Sequence, residues 1–307
     1  MDRTVNAPPV PIGVVIPTRG RTTRLLLTLT ALLHQTLPRD RFEVVLVNDA
    51  PGREAVAQVL DALPAGLPLR VADTGGRGVA HARNAGARLA RSEILLFLDD
   101  DTVATPGLLE AHLAAHAGAR ELLVHGRVTD LSAFALTPDT LRLEEALTGA
   151  RGRSLGPVDV ADPERVARSF GPRCSFIEST ARKVTGNPAH RHLSWLSCIG
   201  TNTSMRRGVF VRSGRFDERY GTLWGGEDLE LGLRLAADGV DFRLIPAGAY
   251  HLPVARRDVS TALPHFWRLV AQQHGDPGLT AVGEYLLGRL GLQELAGRLA
   301  PVGEAAR

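Results

Sequence analysis

The chain has 307 residues, of which 36 are Lys or Arg and 33 are Asp or Glu, so its formal net charge is +3. Hydrophobic residues make up 44% of the chain and charged residues 22%, a composition that excludes disordered and collagen-like proteins. Basic residues are scattered among acidic ones and form no stripe, so we expect no nucleic-acid partner. Two cysteines are too few for a disulfide framework.

Short apolar runs alternate with helical patterns over the first 127 residues. Predicted strands cover residues 12–17, 42–48, 69–72, 94–98 and 122–128, and the helices between them cover 20–35, 53–62, 79–90 and a segment that starts near 106. Continuously apolar strands are typical of a parallel sheet that is covered by helices on both faces. The alternation therefore predicts a doubly wound α/β sheet, in which ligands bind beside the carboxyl ends of the strands.

The second half of the sequence is less regular. Residues 130–195 show no strong period, and we interpret them as a variable insert of loops and helices over the site. Further elements are predicted at 196–205, 207–213, 227–238, 242–245 and 249–252, and one or two amphipathic helices at 262–299. We therefore expect one domain over residues 1–255, which includes the insert, and a helical C-terminal extension over residues 256–307.

Two features of the sequence bear on membranes and partners. No apolar segment typical of a signal peptide begins the chain, and no run reaches the roughly 18 apolar residues of a membrane span, so we expect a soluble, cytoplasmic protein. The amphipathic extension could rest on a membrane surface as a peripheral contact, or join two copies of the chain in a homodimer. Packing of the extension against the domain is the simpler interpretation.

Three consecutive aspartates, Asp99, Asp100 and Asp101, follow the apolar strand at 94–98. Side chains alternate along a strand, so Asp99 and Asp101 project to the same side. Two carboxylates on one side favour a hard divalent cation such as Mg²⁺ or Mn²⁺. The sequence therefore predicts a metal site at this edge of the sheet. The alternative is a solvated loop that caps the next helix.

Polar residues follow the first two strands in the same way, as Thr18-Arg19 and Asn48-Asp49. A turn could explain either pair alone. Because the carboxyl ends of parallel strands meet at one edge of a sheet, polar groups at three strand ends together indicate a bound polar ligand.

A glycine-rich segment, 75–78, precedes the third predicted helix. It does not fit the dinucleotide fingerprint, because His81 stands at the third glycine position and the segment follows the third strand. Arg77 and Arg83 remain candidates for binding phosphate through the two donors of a guanidinium, although surface salt bridges are an equal alternative. The single lysine, Lys183, lies in no P-loop pattern.

A second acidic cluster opens the helix predicted at 227–238, in the segment Trp224-Gly225-Gly226-Glu227-Asp228. Acidic residues in a first turn are often only partners of the helix dipole. However, the two glycines allow a ligand to approach the backbone, Trp224 offers a stacking face, and Asp228 could act as a general base. His251 is the last residue of a different segment, the extended run Ala249-Tyr250-His251. A lone histidine is more often structural than a metal ligand.

These segments, in this order, resemble the family-2 glycosyltransferases of GT-A fold. The matching segments are 15–21, 47–49, 82–86, 98–101, 200–202, 205–207, 214–218, 225–231 and 250–251. Each segment is short, but the ordered set is specific and covers about residues 12–252. The resemblance implies an inverting, metal-dependent transfer of a sugar from a nucleotide-diphosphate sugar, a UDP-sugar being favoured, to an acceptor hydroxyl or other nucleophile.

The resemblance, together with the residue chemistry, also implies individual roles. The donor-binding residues are Pro17, Thr18, Arg19, Asp49, Arg77, Arg83, Asn84, Asp99 and Asp100. The residues on the acceptor or sugar side are Asn202, Trp224, Gly225, Gly226 and Glu227. The ligands of Mn²⁺ or Mg²⁺ are Asp99, Asp101 and His251, and the catalytic base is Asp228. In this chain Asp49 is followed by Ala50-Pro51 where the family usually has Gly-Ser, which weakens the inference about the base of the nucleotide.

Two other functions fit less well. A sugar-phosphate nucleotidyltransferase usually opens with a glycine-rich loop and a lysine near the first strand, and this sequence has neither there. A non-catalytic nucleotide-sugar-binding module would not need the full set of Asp99, Asp101, Asp228 and His251. The sequence does not define the acceptor, which could be a glycan, a lipid carrier, a peptide or a small metabolite, and we expect 130–195 and 256–307 to shape its site.

Overall fold

The computed structural model of the chain describes residues 10–138, 140, 142–254 and 258–299. The strands are Ile12–Thr18 (β1), Phe42–Asn48 (β2), Leu69–Asp73 (β3), Ile94–Leu98 (β4), Thr102–Ala104 (β5), Leu122–Leu131 (β6), Leu147–Thr148 (β7), Ser154–Leu155 (β8), Pro172–Arg173 (β9), Asn202–Arg206 (β10) and Asp241–His251 (β11). The helices are Thr22–Leu33 (α1), Glu54–Ala62 (α2), Val79–Leu89 (α3), Leu108–Ala115 (α4), Pro163–Ser169 (α5), Phe176–Thr185 (α6), Arg207–Arg212 (α7), Glu227–Ala237 (α8), Val259–His274 (α9), Thr280–Leu286 (α10) and Leu292–Arg298 (α11).

Within the described residues, nine strands form one sheet in the order β3-β2-β1-β4-β10-β6-β11-β5, with β9 beside β6. Strands β3, β2, β1 and β4 are parallel, β10 is antiparallel to both of its neighbours, and β6 and β11 are parallel to each other. The register pairs Thr18 of β1 with Asn48 of β2, so two of the predicted polar strand ends lie side by side. The predicted α/β fold with a mostly parallel sheet is confirmed.

Helices cover both faces of this sheet. Val14 and Ile16 of β1 pack in one cluster with side chains from α1, α2 and α4, whereas Val15 packs in another cluster with side chains from α3, α7 and α8. Because successive side chains of a strand point to opposite faces, a strand that is buried on both sides must be apolar throughout. This burial explains why the central strands read as continuous apolar runs.

The insert between β6 and β10 is more ordered than its sequence suggests. It contains the helices α5 and α6 and a 3-10 helix at Pro188–Ser197. Phe134, Leu155, Val166 and Phe170 of its first part are buried in one cluster with Leu27 and Ala31 of α1, Val103 of β5 and Leu252. These apolar residues of the insert are too widely spaced to produce the helix or strand periods that sequence patterns reveal.

The first turn of α1 holds the start of the insert. The Thr22 hydroxyl donates to the carbonyl of Thr140 at 3.1 Å, and the buried guanidinium of Arg24 donates to the carbonyl of Thr137 at 3.0 Å. The same guanidinium donates to the carbonyl of Leu252, just after β11, at 3.2 Å. Because these bonds join side chains to backbone, no hydrophobic pattern could have predicted them.

The C-terminal helices pack against the domain. Phe266, Trp267, Val270 and Ala271 of α9 are buried in one cluster with side chains of α6, α8 and the 3-10 helix at 188–197. The apolar face that could have served a homodimer or a membrane contact is therefore occupied within the chain, and the structure gives neither prediction support. No helix among the described residues combines the length and apolarity needed to cross a membrane.

Candidate functional site

The carboxyl ends of β1 and β4 are joined by direct contacts between polar side chains. The Thr18 hydroxyl donates to Asp100 at 2.6 Å. The guanidinium of Arg21 donates to both Asp100 and Asp101. Burial raises the pKa of the Asp100 carboxyl above its ordinary value, although Arg21 acts in the opposite direction. Arg21 was not among the predicted site residues, even though it lies inside the first matching segment.

His251 approaches the same aspartates from the end of β11. Its Nε2 lies 3.6 Å from Oδ1 of Asp101, and its Nδ1 lies 2.9 Å from Oδ1 of Asp130. Burial alone would lower the pKa of His251, but the two carboxylates outweigh it and raise the pKa to about 10. The sequence did not identify Asp130, which faces His251 because β6 and β11 pair these two residues.

The donor atoms of Asp101 and His251 fit a divalent cation in part. A carboxylate and an imidazole are both ligands of Mn²⁺-type metals, and an imidazole that binds metal usually has its other nitrogen held by a carboxylate, as Asp130 holds His251. Over the described ranges, however, no three His, Cys, Asp or Glu side chains are gathered in a group that could hold a metal. Asp99 is turned away from this pair and contacts other residues.

Asp99 is held by a buried arginine and a threonine. Arg83, which is 3% exposed, donates to Oδ1 of Asp99 at 2.8 Å, and the Thr201 hydroxyl donates to Oδ2 at 2.9 Å. The other arm of the Arg83 guanidinium donates to Glu227 at 2.6 Å. Burial alone would lower the pKa of Arg83, but Asp99, Glu227 and Asp228 together raise it. One guanidinium therefore connects the end of β4 with the start of α8.

Asp228 lies in the first turn of α8. Its carboxylate accepts hydrogen bonds from the backbone N–H of Gly200 at 2.8 Å and of Leu229 at 2.8 Å. Burial and the neighbouring carboxylate of Glu227 raise the pKa of Asp228 above its ordinary value. A carboxylate with a raised pKa that is held in a fixed orientation can accept a proton from a ligand near neutral pH. Trp224, four residues earlier, is 39% exposed.

Asp49 is placed at the same edge of the sheet, but its carboxylate already has local partners. It accepts hydrogen bonds from the Thr74 hydroxyl at 2.7 Å and from the backbone N–H groups of Arg77 and Gly78 at 2.8 and 2.9 Å. These bonds hold the glycine-rich segment in front of α3. The side chains of Arg19 and Arg77 are exposed near this edge, and Pro17 is buried in β1.

The two predicted asparagines are used inside the protein. Asn84 binds the backbone N–H and carbonyl of Phe216, at 3.1 and 2.8 Å. Asn202 is fully buried, with its Oδ1 3.0 Å from Nε2 of His112. Burial lowers the pKa of His112 to about 3 and that of the adjacent His116 to about 4, so both imidazoles are neutral. The Asn84 amide also donates to the carboxylate of Glu218 at 2.9 Å, and the hydrogen bonds described for the two asparagines reach neither Asp99–Asp101 nor Asp228.

The fold and the site together define a class of protein. A mostly parallel sheet with carboxylates at its strand ends, beside a helix that begins with two acidic residues, is the architecture of a GT-A glycosyltransferase. Residues 13–143 match the profile of glycosyl transferase family 2, and residues 180–254 match a profile described as the N-terminal domain of galactosyltransferase. The resemblance to the family-2 glycosyltransferases that the sequence predicts is therefore confirmed, through a match that covers residues 13–143.

Individual relatives agree with this assignment. The chain is 35% identical over 236 residues to a validoxylamine A glucosyltransferase of Streptomyces hygroscopicus subsp. jinggangensis, an alignment that covers 75% of this chain and 52% of that protein. The chain therefore spans about half the length of that relative.

Solved structures share the fold. S. aureus TarS 1-349 in complex with UDP-GlcNAc is similar with a TM-score of 0.55 and 15% identity, over 91% of this chain and 70% of that chain. GalNAc-T7 with UDP, GalNAc and Mn²⁺ is similar with a TM-score of 0.54 and 18% identity, over 86% of this chain and 48% of that chain. At identities this low, the structural similarity supports a shared fold alone. The predicted GT-A architecture is thereby confirmed.

Proposed function

We propose that the chain transfers a sugar from a UDP-sugar to a hydroxyl group of an acceptor, with inversion at the anomeric carbon. The observation that carries this proposal is the position of Arg83, which binds Asp99 with one arm of its guanidinium and Glu227 with the other. The carboxylate of Asp99 at the end of β4 and the acidic start of α8 therefore lie on either side of one guanidinium. A donor bound beside the strand-end carboxylates and an acceptor bound beside the start of α8 would then be next to each other.

Asp228 is the group best suited to act as the base. Two backbone N–H groups fix its carboxylate, and its raised pKa favours proton uptake. In the proposed step the acceptor oxygen attacks the anomeric carbon opposite the diphosphate. The bond from this carbon to the acceptor oxygen forms as the bond to the diphosphate oxygen breaks. The acceptor proton passes to Asp228 and UDP leaves, so that no covalent intermediate with the enzyme is required.

Asp101 and His251 would hold a divalent cation, and Asp130 would keep the imidazole of His251 in the orientation for binding. When bound, such a cation neutralises the charge that develops on a diphosphate leaving group. The GalNAc-T7 complex contains Mn²⁺, which makes Mn²⁺ the first cation to test. The exposed guanidinium groups of Arg19 and Arg77 could contribute further positive charge near the donor.

The relatives suggest which substrates to assay first. The TarS and GalNAc-T7 complexes contain UDP-GlcNAc and UDP, which supports a UDP-sugar donor. The name of the Streptomyces relative specifies glucose as the transferred sugar and validoxylamine A as the acceptor. We therefore propose UDP-glucose as the donor and a polyhydroxylated compound resembling validoxylamine A as the acceptor.

The experiment is an assay of transfer from UDP-glucose to validoxylamine A with Mn²⁺, with the anomeric configuration of the product determined by NMR. We expect transfer with inversion. Asp101→Ala should abolish it, and Asp228→Asn should slow it about 100- to 10,000-fold and leave a measurable residual rate. Full turnover by either variant would refute the role proposed for that residue. Tight binding of UDP-glucose without transfer or hydrolysis would instead support a non-catalytic nucleotide-sugar-binding module.

A further inference from the structure

We propose that helix α9 positions the proposed catalytic base, and that Trp267 is the positioning residue through which it does so. The inference rests on the proposed function, in which Asp228 takes the acceptor proton. Residues 225–228, which we call the base loop, follow the exposed Trp224 and include the first two residues of α8. The second of the two segments that match family profiles ends at residue 254, and helix α9 begins after it, at Val259. Neither profile match therefore includes α9.

The base loop lies directly against α9. Trp267 is fully buried, and its indole N–H donates to the carbonyl of Gly225 at 3.1 Å. A Cβ atom placed on Gly226 would lie 3.1 Å from the six-membered ring of Trp267. A Cβ atom placed on Gly225 would lie 3.2 Å from Phe266. Two residues without side chains are needed for the backbone to approach the helix this closely.

The backbone of this loop depends on such contacts for its position. Gly225 and Gly226 have φ values of +144° and +132°, a conformation that favours glycine, and glycine has the greatest conformational freedom of all residues. The indole N–H is the contact that fixes the carbonyl of Gly225 on the α9 side. On the opposite side, Glu227 is held by Arg83 and Asp228 by the N–H of Gly200. The base loop is thereby held by α9 on one side and by Arg83 and Gly200 on the other.

Helix α9 can hold the base loop in a fixed position because the C-terminal end of α9 also contacts α8. Nε2 of His274, the last residue of α9, lies 2.9 Å from Glu230, which is fully buried and follows the base loop by two residues. Gln273 donates to Asp217 at 2.8 Å and accepts from the Tyr220 hydroxyl at 3.0 Å. The helix therefore contacts the polypeptide both before and after Asp228, which leaves little freedom for the carboxylate to move.

The test is Trp267→Phe, which keeps an aromatic ring in the core and removes the N–H donor. We expect kcat to fall about tenfold, because displacements of about 1 Å at a reacting group can cost up to about a hundredfold in rate. We expect the KM for UDP-glucose and the dissociation constant of UDP to change by less than about twofold, because the hydrogen bonds described for α9 reach the base loop, α8, Asp217 and Tyr220 rather than the proposed donor-binding residues. An unchanged kcat would overturn the proposal.

The matched control is Trp195→Phe. Trp195 is buried in the same cluster, with its ring centroid 6.0 Å from that of Trp267, and no contact between its side chain and the base loop is recorded among the described residues. Both variants should lose similar thermal stability, so activities are compared at a temperature where both are folded. An equal fall in kcat for Trp195→Phe would show that general loosening of the core is responsible, and would refute positioning by Trp267.

A double variant separates this inference from the proposed function. If Trp267 acts through Asp228, Trp267→Phe should have no further effect on the residual transfer rate of an Asp228→Asn enzyme. A tenfold fall in that background as well would mean that Trp267 acts by another route. Full activity of Asp228→Asn alone would refute the proposed base, whereas a strongly slowed Asp228→Asn with a fully active Trp267→Phe would refute only the positioning by α9.

Discussion

Nε2 of His251 lies 3.6 Å from Oδ1 of Asp101, although His251 ends β11 and Asp101 lies in the turn between β4 and β5, far away in the sequence. The contact depends on β11, whose register on β6 shifts between Ile245 and Gly248. Two residues of β11, 246 and 247, lie between the pair Ile245–Gly126 and the next pair, Gly248–Arg127. Without these two extra residues the register would place Ala249, rather than His251, opposite Asp130. The irregularity in β11 is therefore part of the proposed cation site.

The first prediction concerns this cation site. Asp101→Ala should abolish measurable Mn²⁺ binding to the UDP-saturated protein, because it removes the carboxylate ligand. Asp130→Asn should weaken Mn²⁺ binding about 10- to 100-fold, because Asp130 only orients the imidazole. Calorimetric titration with Mn²⁺ measures both effects. Asp241→Asn, an exposed aspartate at the start of β11, is the control and should bind as the wild type does. Unchanged affinity in Asp101→Ala would contradict the assignment.

The second prediction concerns pH. Asp228 must be ionised to accept a proton, and its pKa is raised by burial and by Glu227. The kcat/KM of the enzyme should therefore fall as the pH drops through a value above the ordinary aspartate pKa of about 3.9. Glu227→Gln removes the neighbouring negative charge, so the acidic limb of the profile should move to lower pH. A profile of kcat/KM against pH for both proteins tests this.

The control for the pH experiment is Glu294→Gln, which changes an exposed glutamate on α11 that pairs with Arg298. Its acidic limb should coincide with that of the wild type, because a screened surface charge has little influence at a distance. If Glu227→Gln leaves the limb in place as well, Glu227 does not determine the ionisation of Asp228.

Much of the sheet and of its acidic edge could be predicted from the sequence. Strands buried on both faces read as continuous apolar runs, and the polar residues after them had to meet at one edge, as Thr18 and Asp100 do. Arg21 and Asp130 were missed because a sequence does not show which charged side chains face each other across strands. Asn84 and Asn202 were placed in the site by resemblance, whereas in the structure they bind buried groups.

The contact between the C-terminal helices and the base loop also could not be predicted from the sequence. The amphipathic pattern at 262–299 predicted helices and an apolar face, but such a pattern does not say what covers that face. Trp267 meets Gly225 only because the tertiary fold returns α9 to the start of α8. Long-range contacts of this kind leave no local period or spacing in the chain.

The third prediction concerns Arg83. Arg83→Gln would leave the buried carboxylate of Glu227 and the partly buried carboxylate of Asp99 without their shared cation. Removing one partner of a buried ion pair typically costs about 3–5 kcal/mol, so the free energy of unfolding should fall by about this amount. Urea titration measures the change. Arg88→Gln, on the exposed side of the same helix, should change it by less than about 1 kcal/mol. Equal losses for the two variants would refute the bridging role of Arg83.

The last prediction concerns the contact between α3 and the loop that precedes Trp224. Gly78 has φ +102°, and a Cβ atom on it would lie 1.9 Å from the carbonyl oxygen of Gly221. Gly118 also has a positive φ, +74°, but a Cβ atom there would meet no atom within 4 Å. Gly118→Ala should therefore cost only the backbone strain of about 1–2 kcal/mol. Gly78→Ala should cost clearly more, because the loop must also move.

Urea unfolding of the two alanine variants separates backbone strain from the steric clash. The displaced loop in Gly78→Ala leads directly into Trp224 and the base loop, so this variant should also lose transfer activity, whereas Gly118→Ala should keep it. Equal destabilisation of the two variants would show that the loop yields without cost. It would also show that the close approach of Gly221 to Gly78 does not fix the position of the loop.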